Sequence, residues 1–363
     1  MMKRAIRKCW RDSASLIVLA KRNVDAVSSA NAGGSNYDIL LQTRTRNASF
    51  SNGVVFPGGV SEEADASDHW LHLLNSFGFG QNDFEGLHRP GAFASPIFAS
   101  NPIRRHIALR ISAIRETFEE LGLLICSSEQ KADRSGIWAD ILTNIDVKYW
   151  QSRVSKDPAE LLNLCKEHSC YPDIWALHYW SNWLTPSLAP VRFNTAFFVT
   201  ALEQKPSGIQ ANSEVVKVEW ENSLEILERN SRKEVLLYPP QGYEFHRLSK
   251  FNDIEKLAQF AKRISCEGNE LLYPVHLQTK DGAIHLLPGD YYYPPNVDLN
   301  DESSLKEENQ TILELRDTNK TLHRFETSEK EVILVTKNYI PKNHINMGDL
   351  VLPLNVITIQ KRH

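Results

Sequence analysis

The stretch RETFEELGLL, residues 115–124, sets Glu116, Glu119 and Glu120 within five positions of one another. Residues three and four apart are neighbours on a helix surface, so the three carboxylates lie on or beside one face. Like charges at that spacing repel. A divalent cation offsets the repulsion, and oxygen-only donors suit Mg²⁺ or Mn²⁺. The bland alternative is a solvated acidic face. Ile103, Ile107, Ile111, Ile114, Phe118 and Leu121 recur at spacings of three and four and form an apolar stripe facing elsewhere. The spacing predicts a helix over about 104–121, stopped by Gly122.

A second decisive stretch is FPGG, residues 56–59, which ends the strand-like GVVFPGGV. Paired glycines after a strand let backbone approach a phosphate closely. Just upstream, YDILLQTRTR, residues 37–46, reads as a strand that turns basic at its end. Arg44 and Arg46 are therefore candidates for phosphate contacts, with solvated arginines as the alternative.

The rest of the chain alternates strand and helix signals. SASLIVLA (13–20), FNTAFFVTAL (193–202), EVVKVEW (214–220) and EVILVTKN (331–338) read as strands. LLYPVHLQTKDGAIHLLPGD (271–290) reads as a hairpin turning at Asp281-Gly282. Helices are expected near 223–230 and 247–264, and residues 146–186 read as mainly helical. Residues 75–102 read as a long irregular excursion rich in Gly, Pro and Phe, and 295–330 as charged and weakly patterned. Trp175, Trp180 and Trp183 stand at near-helical spacing and read as core, with adenine stacking as the alternative. His178 among them reads as structural.

Composition sets the bounds. The 363 residues carry 9% aromatic and 24% charged side chains, which argues against wholesale disorder. No apolar run reaches the length of a membrane span. A net charge of −4 gives no global pull toward nucleic acid. The five cysteines are odd in number and lack zinc-finger spacing, so they read as reduced thiols in an intracellular compartment. The basic opening MMKRAIRKCWR is similar to a mitochondrial presequence.

Taken together, the glycine turn and the acidic helix resemble the Nudix box: Gly, five residues, Glu, seven residues, then Arg-Glu-apolar-x-Glu-Glu-x-Gly-apolar. Arg115 through Leu123 fill the second half, with Thr117 where an aliphatic residue is usual. Gly59 opens the first half. Six positions on stands Asp65 in place of Glu, with Glu62 and Glu63 as substitutes for it. Between Asp65 and Arg115 lie 49 residues instead of seven. A box split in this way resembles the acyl-coenzyme A diphosphatase branch of the Nudix hydrolases. PDIWALHYWSNWLTP (172–186), RFNTAFF (192–198), EVVKVEW and HLLPGD (285–290) extend the likeness over about 13–290.

The resemblance implies an α/β fold of the α+β sandwich type, with a mixed sheet between helices. It implies a Nudix domain at 10–245, interrupted at about 66–103 and 125–186, and a helix-plus-hairpin extension at 246–363. The implied reaction is metal-dependent hydrolysis of the pyrophosphate of coenzyme A and acyl-coenzyme A. The implied cofactor is Mg²⁺ or Mn²⁺ on Glu116, Glu119 and Glu120, with Arg115 ordering the acids. Glu214 is the candidate general base, and Arg44, Arg46, Gly58 and Gly59 are candidate substrate contacts. Nucleotide sugars, dinucleotides or nucleotide-capped RNA ends are alternative substrates, and a non-catalytic Nudix binding module is the alternative from another class. The branch also points to a peroxisome or mitochondrion, although the final Lys361-Arg362-His363 is not of the Ser-Lys-Leu type.

Overall fold

The computed structural model describes residues 10–22, 34–45, 53–128, 136–300, 306–317, 319–329 and 331–356. Arg46, the basic opening through Cys9 and the terminal tripeptide lie outside them. The described residues open with β1 (Arg11–Lys21), β2 (Tyr37–Arg44), β3 (Val54–Val55), β4 (Gly58–Val60), α1 (His69–Ser76), α2 (Gln81–Glu85) and α3 (Pro102–Leu121). It continues through β5 (Cys126–Ser127), α4 (Val147–Val154), α5 (Glu160–Glu167), β6 (Tyr171–Pro172), β7 (His178–Leu184), β8 (Phe193–Leu202) and β9 (Val215–Glu221). Then come α6 (Ser223–Ser231), α7 (Pro239–Leu248), α8 (Ile254–Ser265), β10 (Leu271–Leu272), β11 (Val275–Thr279) and β12 (Gly282–Leu286). The final elements are β13 (Lys306–Glu307), α9 (Ile312–Arg316), β14 (Leu322–Thr327), β15 (Val332–Lys337) and β16 (Leu350–Leu354).

β1 organises the first sheet. It pairs in parallel with β8 from Arg11 opposite Phe193 to Ala20 opposite Leu202, and antiparallel with β2 and β4. Its apolar run is nearly continuous because both faces are covered. Leu16, Val18 and Ala20 join one core with Ile107, Ile111, Ile114 and Phe118 of α3. Ile17 and Leu19 join a second core with Phe245 of α7 and Leu257 and Ala261 of α8. The sheet is therefore mixed and held between helices, as expected.

A second sheet, ordered β13-β11-β12-β14-β15-β16, is built by the C-terminal part. Phe325 and Leu334 carry it onto the same core as α7 and α8. The expected hairpin at Asp281-Gly282 is present, but as two strands of this larger sheet. The weakly patterned 295–330 segment hides β14 because its polar residues are buried in pairs. Arg324 reaches Asp290 with Nε–Oδ2 at 2.7 Å and Nη2–Oδ1 at 2.8 Å.

Three other readings change. The 75–102 excursion is ordered: Phe79, Phe84, Ile97 and Phe98 are buried in the α3-side core. Its helical pieces are too short to show a period. The mainly helical reading of 146–186 holds only as far as Glu167. β7 follows, and a strand buried on both faces loses the alternation that would mark it. Trp180 and Trp183 are core, and both indole N–H groups donate to the buried Glu244, at 2.7 and 2.8 Å. Trp175 stacks on Phe79 and His178 is buried, so neither offers a free ring to a ligand. The single helix expected at 247–264 is two, because α7 ends at Leu248 and Asp253 caps α8 through the Lys256 N–H at 2.9 Å. Cys126, Cys165 and Cys170 are unbridged, buried, and bring their sulfurs within 4.8 Å of one another.

Candidate active site

The site forms where β4 and the end of β2 meet α3. Pro102 opens α3 at a position where its missing N–H costs nothing, and the Asn101 side chain accepts from the Arg104 N–H. Gly122 closes it in the left-handed conformation, φ 67°, with its N–H on the Phe118 carbonyl at 2.8 Å. The remaining carbonyls of the last turn are also answered. Gln151 of α4 donates to Glu119 at 2.9 Å, and the backbone N–H groups of Asn212 and Gln210 donate to Glu120 and Leu121 at 2.9 Å. The turn that carries the acids is thus fixed from outside the helix.

The two glycines are required by close approach. A Cβ on Gly58 would lie 2.4 Å from the Ala14 carbonyl oxygen and 2.7 Å from the Ser15 Cα, both backbone. A Cβ on Gly59 would lie 2.4 to 2.6 Å from the Glu116 carboxylate. The expected juxtaposition of glycine turn and acidic helix is therefore direct contact. The Gly58 N–H donates to Glu120 Oε2 at 2.9 Å.

Arg115 holds the acids in register. Its Nε and Nη2 donate to the two oxygens of Asp65 at 2.8 and 2.9 Å. Its Nη1 donates to Glu116 at 3.0 Å and Glu119 at 2.6 Å, and Nη2 also donates to the Val60 carbonyl at 2.8 Å. Asp65 also accepts from the Glu62 N–H at 2.9 Å, capping the 3₁₀ turn it stands in. Both its oxygens are taken up by donors. Asp65 therefore orders Arg115, while Glu116 and Glu119 each engage Arg115 through one oxygen and keep the other outside these contacts.

Glu120 is almost fully buried. Its Oε2 accepts from Gln42 Nε2 at 2.8 Å, and its Oε1 accepts from the Arg44 guanidinium. Arg44 also donates to the Gly58 carbonyl at 3.0 Å. The sequence offered Arg44 as a phosphate contact or a solvated arginine. The structure places it inside the carboxylate network, with 12% of its side chain exposed. Gln42 was missed, although it precedes Arg44 by two and so shares its face of β2. Gln151 was also missed, and nothing in the local sequence marks it. Glu214 is exposed immediately before β9, and its carbonyl accepts from the Thr45 N–H at 2.9 Å. The β2–β9 register, Arg44 opposite Val215, sets Glu214 beside the Arg44 end of the site.

Burial pushes the Glu116 carboxyl up to about 8 despite Arg115, and burial also raises Glu119 and Glu120. Asp65, Glu116, Glu119 and Glu120 present four carboxylates to the guanidiniums of Arg44 and Arg115. With all four ionised, two negative charges are left uncompensated within that network, and the ligand atoms on offer are all oxygen. These residues fit a hard divalent cation.

A sheet between helices, with a glycine turn seated on an Arg-ordered acidic helix, is the architecture of a Nudix hydrolase. The model of the NUDT19 Nudix domain matches residues 10–248, and that of the NUDT19 C-terminal domain matches residues 276–338. The chain belongs to the NUDT19 family. It is 34% identical over 365 residues to the acyl-coenzyme A diphosphatase NUDT19 of Xenopus laevis, covering 93% of this chain and 96% of the relative. To the Homo sapiens protein of the same name it is 33% identical over 369 residues, again covering 93% and 96%. Among solved structures, it resembles a Nudix hydrolase from Alicyclobacillus acidocaldarius, with a TM-score of 0.50 and 21% identity, over 69% of this chain and 96% of that one. That likeness concerns the fold alone. Nudix hydrolases generally use divalent metals, in keeping with the charge balance of the site. No helix among the described residues is long and apolar enough to cross a membrane.

Proposed function

We propose that this chain hydrolyses the pyrophosphate linkage of coenzyme A and acyl-coenzyme A. The products are 3′,5′-ADP and 4′-phosphopantetheine, free or acylated. Water adds to one phosphorus, the bridging P–O bond breaks, and the departing phosphate keeps the electron pair. The observation that carries this reading is the acid cluster closed against Gly58 and Gly59, in a chain that aligns over nearly its whole length with acyl-coenzyme A diphosphatases.

Glu116, Glu119 and Glu120 are the ligands this reading assigns to Mg²⁺ or Mn²⁺. When bound there, the ion supplies positive charge to the diphosphate and acidifies water. The chain's own residues do the rest. Arg115 keeps Glu116 and Glu119 aimed at one point, and Asp65 keeps Arg115 from turning. The Gly58-Gly59 backbone admits the diphosphate at a distance that side chains would forbid. Arg44 adds a fixed positive charge beside Glu120 and the Gly58 carbonyl. Glu214, exposed at the Arg44 end and not tied to either arginine of the network by a hydrogen bond, is the proton acceptor assigned here.

A substrate panel tests the reading. Coenzyme A and acyl-coenzyme A are expected to turn over with Mg²⁺ or Mn²⁺ far faster than nucleotide sugars, dinucleotides or nucleotide-capped RNA. Preference for any of those three overturns it. Glu214→Gln is expected to lower kcat without changing the metal requirement. If it keeps more than half of wild-type turnover, Glu214 is not the proton acceptor.

A further inference from the structure

A cavity of about 570 Å³ opens beside the Gly58-Gly59 turn and Arg44 and runs between the two sheets of the molecule. Trp183 and Phe197 line it from the first sheet, and Phe325 and Val332 line it from the second. We propose that this cavity is the binding site for the acyl chain of a thioester substrate, with the C-terminal sheet as half of its wall. The proposal rests on the diphosphatase reading, because it takes the glycine turn as the place of the diphosphate.

The walls are held in place independently of any ligand. Trp183 is anchored by its indole N–H on Glu244 at 2.8 Å, and its ring lies 6.4 Å from that of Phe325. Phe56, also in the lining, meets Phe197 edge-on at 6.3 Å between ring centres. Collapse of the cavity would require these packed rings to move. An apolar hollow open to water is unfavourable unless an apolar occupant displaces that water.

The chemistry of the lining selects the occupant. An adenine or a pantetheine arm carries ring nitrogens or amides, which need polar partners when buried. The aromatic and aliphatic walls deep between the sheets offer few. The polar groups there are His276 and His285, which face each other across β11 and β12, Thr327 of β14, and Tyr238 and Gln241 at the start of α7. Burial holds His285 down to about 4, so it brings no charge into the cavity at neutral pH. The polar groups Ser13, Ser15 and Thr195 stand on β1 and β8 near the glycine turn, where the arm would enter.

The volume sets the length. At about 30 Å³ per water-sized group, the cavity holds roughly nineteen such groups. A sixteen-carbon acyl chain together with the inner end of the arm would fill or exceed that space, so chains of medium length fit best. The chain lies at the far end from the acidic cluster, so it contributes binding without touching the reacting atoms.

Ala283 and Thr327 are directly opposite one another on β12 and β14, both line the cavity, and neither makes a hydrogen bond within the catalytic network. The experiment compares kcat/KM for coenzyme A and its acetyl, octanoyl and hexadecanoyl thioesters in wild type, Ala283→Phe and Thr327→Phe. Wild type is expected to gain at least tenfold from acetyl to octanoyl, because several methylenes leave water, and to lose part of that gain at hexadecanoyl. Each filled variant is expected to lose the octanoyl gain while hydrolysing coenzyme A within twofold of wild type, which also shows that it has folded. Octanoyl-pantetheine, which lacks the diphosphate, is expected to compete with octanoyl-coenzyme A in wild type at least tenfold better than acetyl-pantetheine does. Normal coenzyme A turnover with a flat chain-length profile and equal competition by the two pantetheines overturns the acyl site alone. An unchanged octanoyl gain in both folded variants overturns it as well. Absence of coenzyme A hydrolysis in wild type overturns the diphosphatase reading itself.

Discussion

Arg115 and Asp65, fifty positions apart in the chain, meet in a buried two-point ion pair, Nε to Oδ1 at 2.8 Å and Nη2 to Oδ2 at 2.9 Å. The long insertion between the halves of the box is looped out without disturbing this contact. The shorter reach of Asp relative to Glu is met by the 3₁₀ turn that brings residue 65 up against α3. Removing Asp65 leaves the buried Arg115 guanidinium with only Glu116, Glu119 and the Val60 carbonyl to answer it. Asp65→Ala is expected to lower stability by about 3 to 5 kcal/mol. Urea unfolding followed by tryptophan fluorescence measures this, and a loss below about 1 kcal/mol would mean that Arg115 is held by its other contacts.

The adjacent glycines are expected to fail in different ways. In Gly58→Ala the new methyl meets backbone on β1, which cannot step aside, so the loss appears as a lower melting temperature. In Gly59→Ala the methyl meets the Glu116 carboxylate, a side-chain end that can swing away at the expense of its aim. That variant is expected to fold with near wild-type stability and lose more than about a hundredfold in kcat, the scale set by displacement of a positioned group. Parallel melting curves and turnover numbers for both variants decide the point. Equal effects on stability would refute the distinction.

Much of this site was legible in the sequence because its residues are local. Glu116, Glu119 and Glu120 sit within one helical turn, and Gly58-Gly59 forms one turn after one strand. The partners that fix them were less legible because they come from elsewhere: Gln151 from the inserted α4, and residues 210–212 from the loop before β9. Arg44 was found as a residue but its carboxylate partner was not, since a strand's end does not reveal which neighbour will neutralise it. β7 and β14 escaped for related reasons. Burial on both faces removes the alternation from β7, and paired burial makes the polar residues of β14 look like a surface.

The placement of Arg44 changes what its removal should do. Its guanidinium binds Glu120 and the Gly58 carbonyl, so the proposed reaction places it at the reacting centre and not at one end of the substrate. Arg44→Ala is expected to reduce kcat/KM for coenzyme A and 3′-dephospho-coenzyme A by similar factors, roughly ten- to 150-fold for a lost charged hydrogen bond. A loss confined to coenzyme A would reassign Arg44 to the 3′-phosphate.

His323 gives a pH signature of folding. It is fully buried, with Nε2 accepting from the Tyr243 hydroxyl at 2.8 Å and Nδ1 donating to the Pro288 carbonyl at 2.7 Å. Burial holds it down to about 3, below the 6.5 of an unfolded chain. Its contribution is therefore complete above pH 6.5, and it fades as pH falls toward 3, because only the unfolded chain takes up the proton. The stability gap between wild type and His323→Asn is expected to narrow by about 1.4 kcal/mol per pH unit between pH 6 and 4. A gap that stays constant over that range would show that His323 is charged in the folded protein.

The central claim is that Glu120, closed against Gly58 with Glu116 and Glu119, serves metal-dependent cleavage of a diphosphate. The most direct measurement incubates coenzyme A with wild type and with Glu120→Gln, with Mg²⁺ and with a chelator, and identifies the products by mass. The expected result is equimolar 3′,5′-ADP and 4′-phosphopantetheine from wild type with Mg²⁺ and no product in the other three reactions. Wild-type turnover undiminished by the chelator, a variant retaining more than half of wild-type activity at saturating Mg²⁺, or cleavage at any bond other than the pyrophosphate would contradict it.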